Sequence, residues 1–195
     1  MKRAIPLLLI ALLALLPCCA ALAEAQAFSF RDGVAWGMTQ DEVLAAEGNP
    51  EYKSFNANDG MTGIEIDDAA IAGVEADLMY NFMNGSLVMC GYEFDAEDIT
   101  VDALAEQLAS EYGPESEADY AAVVEVYNIM FGAGGMTEEF LTEREAHCWT
   151  LEDGTILLLV AYSDDDLDLA YMDAAGIRAS QSVDEPAPAL NPDDL

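Results

Sequence analysis

The chain has 195 residues, 53% of them apolar, with 38 acidic side chains against 6 basic ones and a formal net charge of −32. Such apolar content is not that of a disordered chain. An anionic field this strong repels nucleic acid and anionic lipid, which both demand basic surface, so neither is an expected partner.

Met1-Lys2-Arg3 opens the chain, and an apolar run follows to Ala23. Ala21-Leu22-Ala23, Ala23-Glu24-Ala25 and Ala25-Gln26-Ala27 repeat the small-residue spacing of a leader cleavage site. Together they predict a secretory signal peptide over 1–23. Two readings compete. The run is long enough for a retained membrane anchor, against which the A-x-A series weighs. Cys19 would be the lipidated residue of a bacterial lipoprotein, but Cys18 and Pro17 stand where such signals carry a small residue. No other segment is long and apolar enough to enter a bilayer, so the expected location is the exterior, the periplasm or the cell envelope. Cleavage would leave Arg31, Lys53, Arg144 and Arg178 as the basic residues, and Cys90 and Cys148 as the cysteines. In an oxidising exterior that pair reads either as a disulfide or as two buried thiols, since both lie in apolar, strand-like contexts.

"GMTQDEVLAAEGNP", Gly37 to Pro50, holds a full set of helix signals. Thr39 is an N-cap and Glu42 completes a capping box. Met38 and Val43 form a hydrophobic staple. Gly48 permits a left-handed stop and Pro50 forbids continuation, so a short helix is predicted near 40–47. A strand follows over Ile64–Asp67, extending toward Val74. "LMYNFMNGSLVMCGYEF" then reads as a hairpin turning at Asn84-Gly85, because that dipeptide suits the positive φ of a type I′ turn.

Thr100 caps a second helix, "VDALAEQLASEY", with Val101, Leu104 and Leu108 on one face and Gly113-Pro114 at its end. "EADYAAVVEVYNIMFG" and "TEEFLTEREAH" read as two more helices, joined by the connector Gly132 to Gly135. "HCWTLEDGTILLLVAY" is a second hairpin, turning at Asp153-Gly154, and Leu167–Met172 adds a strand. The caps lie 61 residues apart and the turns 69. Two copies of one unit, over 28–97 and 98–176, fit both offsets if the second holds the extra helices. Residues 180–195 read as a disordered acidic tail. The expected fold class is α+β, two tandem helix-plus-antiparallel-meander units.

Gly37, Met38, Thr39, Val43, Gly48 and Pro50, followed by the first hairpin, resemble a recurring pattern of small exported bacterial domains. These form the SmpA/OmlA (BamE-like) and β-lactamase-inhibitor-protein-like group. The second unit is similar through Thr100, Leu104, Gly113, Pro114 and Trp149. The resemblance covers roughly 28–175. It implies a helix layer on an antiparallel sheet, acting by binding proteins rather than by catalysis. The chain departs from the envelope-assembly members in its length, doubled unit and acidity, so no partner and no inhibitory loop carries over.

Catalysis needs placed groups. His147 adjoins Cys148, but neighbouring strand residues point to opposite faces and cannot form a nucleophile–base pair. His147 falls on the side of Trp149 instead. Ser86, Ser110 and Ser163 lack a nucleophile-elbow context. No Walker loop or dinucleotide fingerprint exists, so no cofactor is expected. "SDDDLDLAY" fails as an EF-hand begun at Asp164, because Leu169 and Ala175 stand where Gly and Glu are required. Loose Ca²⁺ binding there or at Asp67-Asp68 competes with plain solvated turns.

Two-residue turns would pair Phe82 with Leu87, Tyr80 with Met89 and Leu78 with Gly91, and Leu151 with Ile156 and Trp149 with Leu158. That face is assigned to the helix-covered core. The opposite face then carries Met79, Met83, Val88, Cys90 and Tyr92, and Cys148, Leu157 and Leu159. It is apolar too, so something covers it. Either the helices over 117–145 do, or it meets a partner. Met79, Met83, Val88, Tyr92, Leu157 and Leu159 are thus the candidate protein-contact face, and Cys90 with Cys148 the candidate disulfide. The leading functional expectation is an exported, non-catalytic interaction module of the bacterial envelope or exterior, bound to another envelope or extracellular protein or to itself. The alternative is an acidic cation-binding or envelope-buffering protein without a specific protein target.

Overall fold

The computed structural model describes residues 28–181, apart from 59, 72–73, 96–98, 117–119, 145 and 164–165. The leader, most of the acidic tail and the start of the Asp164 loop therefore lie outside the described residues.

The fold is α+β. Seven antiparallel strands form one sheet: β1 Lys53–Asn58, β2 Met61–Ile71, β3 Val74–Met83, β4 Ser86–Asp95, β5 His147–Thr150, β6 Thr155–Ala161 and β7 Asp166–Asp173. Their order is β1-β2-β3-β4-β7-β6-β5, so the last strand of each meander meets the other at the centre. Among the described residues five α-helices flank the sheet: α1 Gln40–Ala46, α2 Val101–Tyr112, α3 Tyr120–Phe131, α4 Glu138–Glu143 and α5 Ala174–Gln181. None of them is long and apolar enough to cross a membrane.

The helix starts follow their caps. Thr39 accepts from the Glu42 N–H while the Glu42 carboxylate accepts from the Thr39 N–H, a complete capping box. Gly48 then takes φ +81 and ends the helix. Thr100 and Thr137 cap α2 and α4 by the hydroxyl alone, accepting from the N–H groups of Ala103 and Phe140.

Two apolar cores lie on the two faces of the sheet. The first is built under α1, α2 and the segment Phe28–Met38, which lays Phe28 and Phe30 across Tyr80, Tyr92 and Tyr171 and stacks Trp36 on Phe28. Its strands supply Ile64, Leu78, Tyr80, Phe82, Phe94 and Trp149. Glu47 enters it, accepting from the Tyr80 hydroxyl and lying 3.4 Å from Arg31. The second core lies under α3, α4 and α5, where Val123, Val126, Met130, Leu141 and Ile177 meet Met61, Val88, Ile156, Leu158 and Met172. The second face is thus covered by the chain's own helices.

Both hairpins turn where expected, and both differ in register. Asn84 (φ +53) and Gly85 (φ +80) make the type I′ turn, with Met83 opposite Ser86. Phe82 pairs with Leu87, but Asn81 then pairs with Met89, Tyr80 with Cys90 and Leu78 with Tyr92. Val88 is an extra residue, a β-bulge. It turns Val88 and Met89 to the same side and sends Cys90, Tyr92 and Phe94 to the first core. Beyond the bulge, Leu87 bonds the backbone of Gly37 and Met38. In the second hairpin the Leu151 N–H reaches the Thr155 carbonyl, so the loop is Glu152-Asp153-Gly154. That three-residue loop, with Gly154 at φ +88, shifts the register by one. Trp149 faces Leu157 and Cys148 faces Leu158.

Two elements were not expected from the sequence. β1 is a polar edge strand whose Phe55 ring lies over Gly63, where a Cβ would not fit. α5 begins after Asp173, whose carboxylate accepts from the Gly176 N–H at 2.9 Å. Ser180 and Gln181 therefore end a helix rather than begin a tail.

Candidate functional site: a cleft on the α3 side of the sheet

Register alone creates a hollow in the second face. One cross-strand row runs Gly63–Asn81–Met89–Met172, and the next runs Glu65–Met79–Gly91–Ala170–Leu158. In the second row Gly91 and Ala170 project almost nothing between Met79 and Leu158. Tyr127 and Phe131 of α3 overhang this gap, and Phe55 stands at its β1 side. The Tyr127 and Tyr162 hydroxyls share a 2.8 Å hydrogen bond that ties α3 to the end of β6. The result is an open cleft of about 180 Å³, mostly apolar.

Besides that hydroxyl pair, Asn81 and Asp168 line it. Asn81 is 3% exposed, and its Oδ1 has no hydrogen-bond partner among the described residues. An unsatisfied buried acceptor costs about 1–3 kcal/mol. Asp168 is the second. Burial, with the charges of Glu93 and Asp166 beside it, pushes its carboxyl up to about 7. Glu93 is also raised, by desolvation and then by Asp166, Asp77 and Glu65. Like charges stand directly opposite one another at Asp77–Glu93, Glu93–Asp168 and Asp95–Asp166. Such pairs destabilise a sheet. The cleft therefore has greasy walls, one unmet acceptor and an acidic rim.

Beside the rim, Glu65, Asp67 and Asp77 bring carboxylate oxygens within 4.8 Å of one another. Lys53 Nζ already bonds Glu65 at 3.0 Å and Asp67 at 2.8 Å. The hydrogen bond from Lys53 holds Asp67 below the usual carboxylate range. A lysine ammonium thus supplies the cation at Asp67, which lies not in a turn but within β2, where the pairing with β3 is irregular.

The expected contact face divides between the two cores. Met79 lines the cleft, half-buried. Met83 packs under α5, where the Ser180 hydroxyl donates to its sulfur. Val88 is buried in the second core. Tyr92, Leu157 and Leu159 are corrected: the bulge and the longer loop put all three in the first core, 3%, 0% and 0% exposed. The expected disulfide is corrected too. Cys90 lies in the first core and Cys148 in the second, on opposite faces. β7 and β6 also separate their strands, a span of about 14 Å at ordinary strand spacing. A disulfide tolerates a Cα separation of only about 7 Å. Both cysteines are buried. His147 does lie on the side of Trp149, and its Nδ1 meets the Glu115 carboxylate at 2.8 Å.

Asn81, Gly91 and Asp168 are the site residues that sequence reasoning missed. Their signal was faint: one amide between two methionines of an apolar face, and one glycine in a strand of large residues.

Compared with known proteins, the chain matches no protein-family model and no curated protein.

Proposed function

We infer that the chain is an exported, non-catalytic protein-interaction module of the bacterial envelope or exterior, which engages its partner at the cleft. The observation that carries this reading is the size and shape of that cleft. Small-molecule sites usually enclose about 300–1,000 Å³ and bury most of the ligand. A half-open hollow of about 180 Å³ is of the order of a single large side chain. Interfaces are anchored by side chains of that kind, desolvated in pockets and ringed by weaker polar contacts. The leader-like start and the Gly37–Pro50 resemblance support the same reading.

The test places a photo-crosslinking amino acid at Met79 in cells that make the protein, with Glu106, exposed on α2, as the control position. The expected result is one protein adduct at Met79 and none at Glu106. Equal labelling at both positions, or no protein adduct at Met79, overturns the reading.

A further inference from the structure

We propose that the cleft takes a tryptophan side chain, flanked by lysine or arginine, from a basic partner protein. This rests on reading the cleft as the recognition site, and adds the chemistry of what enters it.

Three observations select that group. The first is volume. An apolar cavity of about 150 Å³ accommodates benzene, so a mostly apolar one of about 180 Å³ takes a somewhat larger ring. The second is Asn81. Its Oδ1 is an acceptor without a donor among the described residues, in a lining that also holds Met79, Met89, Phe131 and Leu158. A phenyl ring would leave it unmet, whereas the indole N–H is a donor with no acceptor of its own. The third is the rim. Glu93 stands opposite both Asp77 and Asp168, and a lysine or arginine set against it relieves both pairs. Charge complementarity of this kind also accelerates encounter.

A second copy of the chain does not fit this description. The Trp36 indole donates to Thr155 Oγ1 at 3.0 Å, and the Trp149 indole to the Gly113 carbonyl at 3.1 Å. Two copies, each of net charge −32, also repel.

The test is calorimetric titration of the full chain, at low salt, with an end-blocked Gly-Lys-Trp-Lys-Gly peptide. Three relatives serve as comparisons: one with glutamates for lysines, one with phenylalanine for tryptophan, and one with benzothienylalanine, which keeps the indole shape but has no N–H. The expected result is one-to-one binding of the first, about tenfold weaker binding of the benzothienyl form, and no binding of the glutamate form. Asn81→Leu should bind the indole and benzothienyl peptides equally, while its thermal midpoint stays at or above the parent's. Glu93→Lys should weaken the lysine peptide and raise the midpoint. Equal binding of the indole and benzothienyl peptides by the parent, or of the lysine and glutamate peptides, overturns the inference. Absence of peptide binding while Met79 still yields a protein adduct overturns this inference alone. Absence of both overturns the proposed function as well.

Discussion

Gly91 carries the depth of the cleft. A Cβ at this position would press on the Leu169 carbonyl oxygen and approach the Ala170 Cα, both main-chain atoms of β7. Backbone cannot swing aside as a side-chain tip does. Gly91→Ala should therefore cost about 1–3 kcal/mol, read as a lower urea midpoint at unchanged slope. Asp168 makes a different prediction. Its folded pKa of about 7 stands above the unfolded value of about 3.9. Between those values the native state holds a proton that the unfolded state has released. The stability this contributes is complete below the unfolded value and is lost as pH rises through 7. Glu93 and Asp166 face the group and drive it in this direction, while burial and the bond to Tyr162 push the nearby Tyr127 hydroxyl upward. The thermal midpoint should thus fall between pH 5 and pH 8. Asp168→Asn should flatten the fall and exceed the parent at pH 8. Parallel curves for parent and variant would rule out this role for Asp168.

At the scale of elements, local chemistry was legible and register was not. The caps at Thr39 and Thr100 act within one turn of helix, so their residues announce them. Asn84-Gly85 and Asp153-Gly154 likewise marked both turns. What the dipeptides do not carry is how the strands continue. The Val88 bulge meets the needs of distant partners, since Leu87 bonds Gly37 and Met38 while the strand beyond pairs with β7. Asp-Gly serves a two-residue loop as readily as a three-residue one, and the choice moved Leu157 and Leu159 from one face to the other. Tyr80 and Trp149 were placed correctly because each lies on the strand before its turn. A consequence separates the residue from the register. Val88→Ala removes two methyl groups from the second core and should cost about 2 kcal/mol. Deleting Val88 instead removes the extra residue: Leu87 stays opposite Phe82, Met89 opposite Asn81 and Cys90 opposite Tyr80, so Cys90, Tyr92 and Phe94 keep their face. That variant should keep a cooperative thermal transition, at a lower midpoint than Val88→Ala. Loss of the cooperative transition would mean that the strand needs the bulge to reach both the Gly37–Met38 segment and β7.

Across the whole molecule, two cores back to back explain why both sheet faces read as apolar and why the contact face drawn from sequence dissolved into interior. The acid went to the remaining surface, and little opposes it. Among the basic side chains of the described residues, Arg31 lies by Asp32 and Glu47, Lys53 by Glu65 and Asp67, and Arg178 by Glu125, while the Arg144 guanidinium stacks on Phe140. Most of the remaining carboxylates are exposed and act on one another through solvent. Screening length falls from about 30 Å at 10 mM salt to about 10 Å at 0.1 M. Most of the mutual repulsion should therefore vanish over that first decade of salt concentration. Sodium chloride should raise the thermal midpoint by several degrees, each kcal/mol being worth about 2–4 °C in a chain of this size. The rise should be steep below 0.1 M and shallow above, because salting-out of apolar surface grows with concentration while screening saturates. Glu93→Lys should reduce the steep part, since it replaces one centre of the like-charged ladder with its complement. A midpoint indifferent to salt in the low range would mean that the carboxylates are spaced beyond one another's reach. The acidic rim would then exert no long-range pull on a basic partner either.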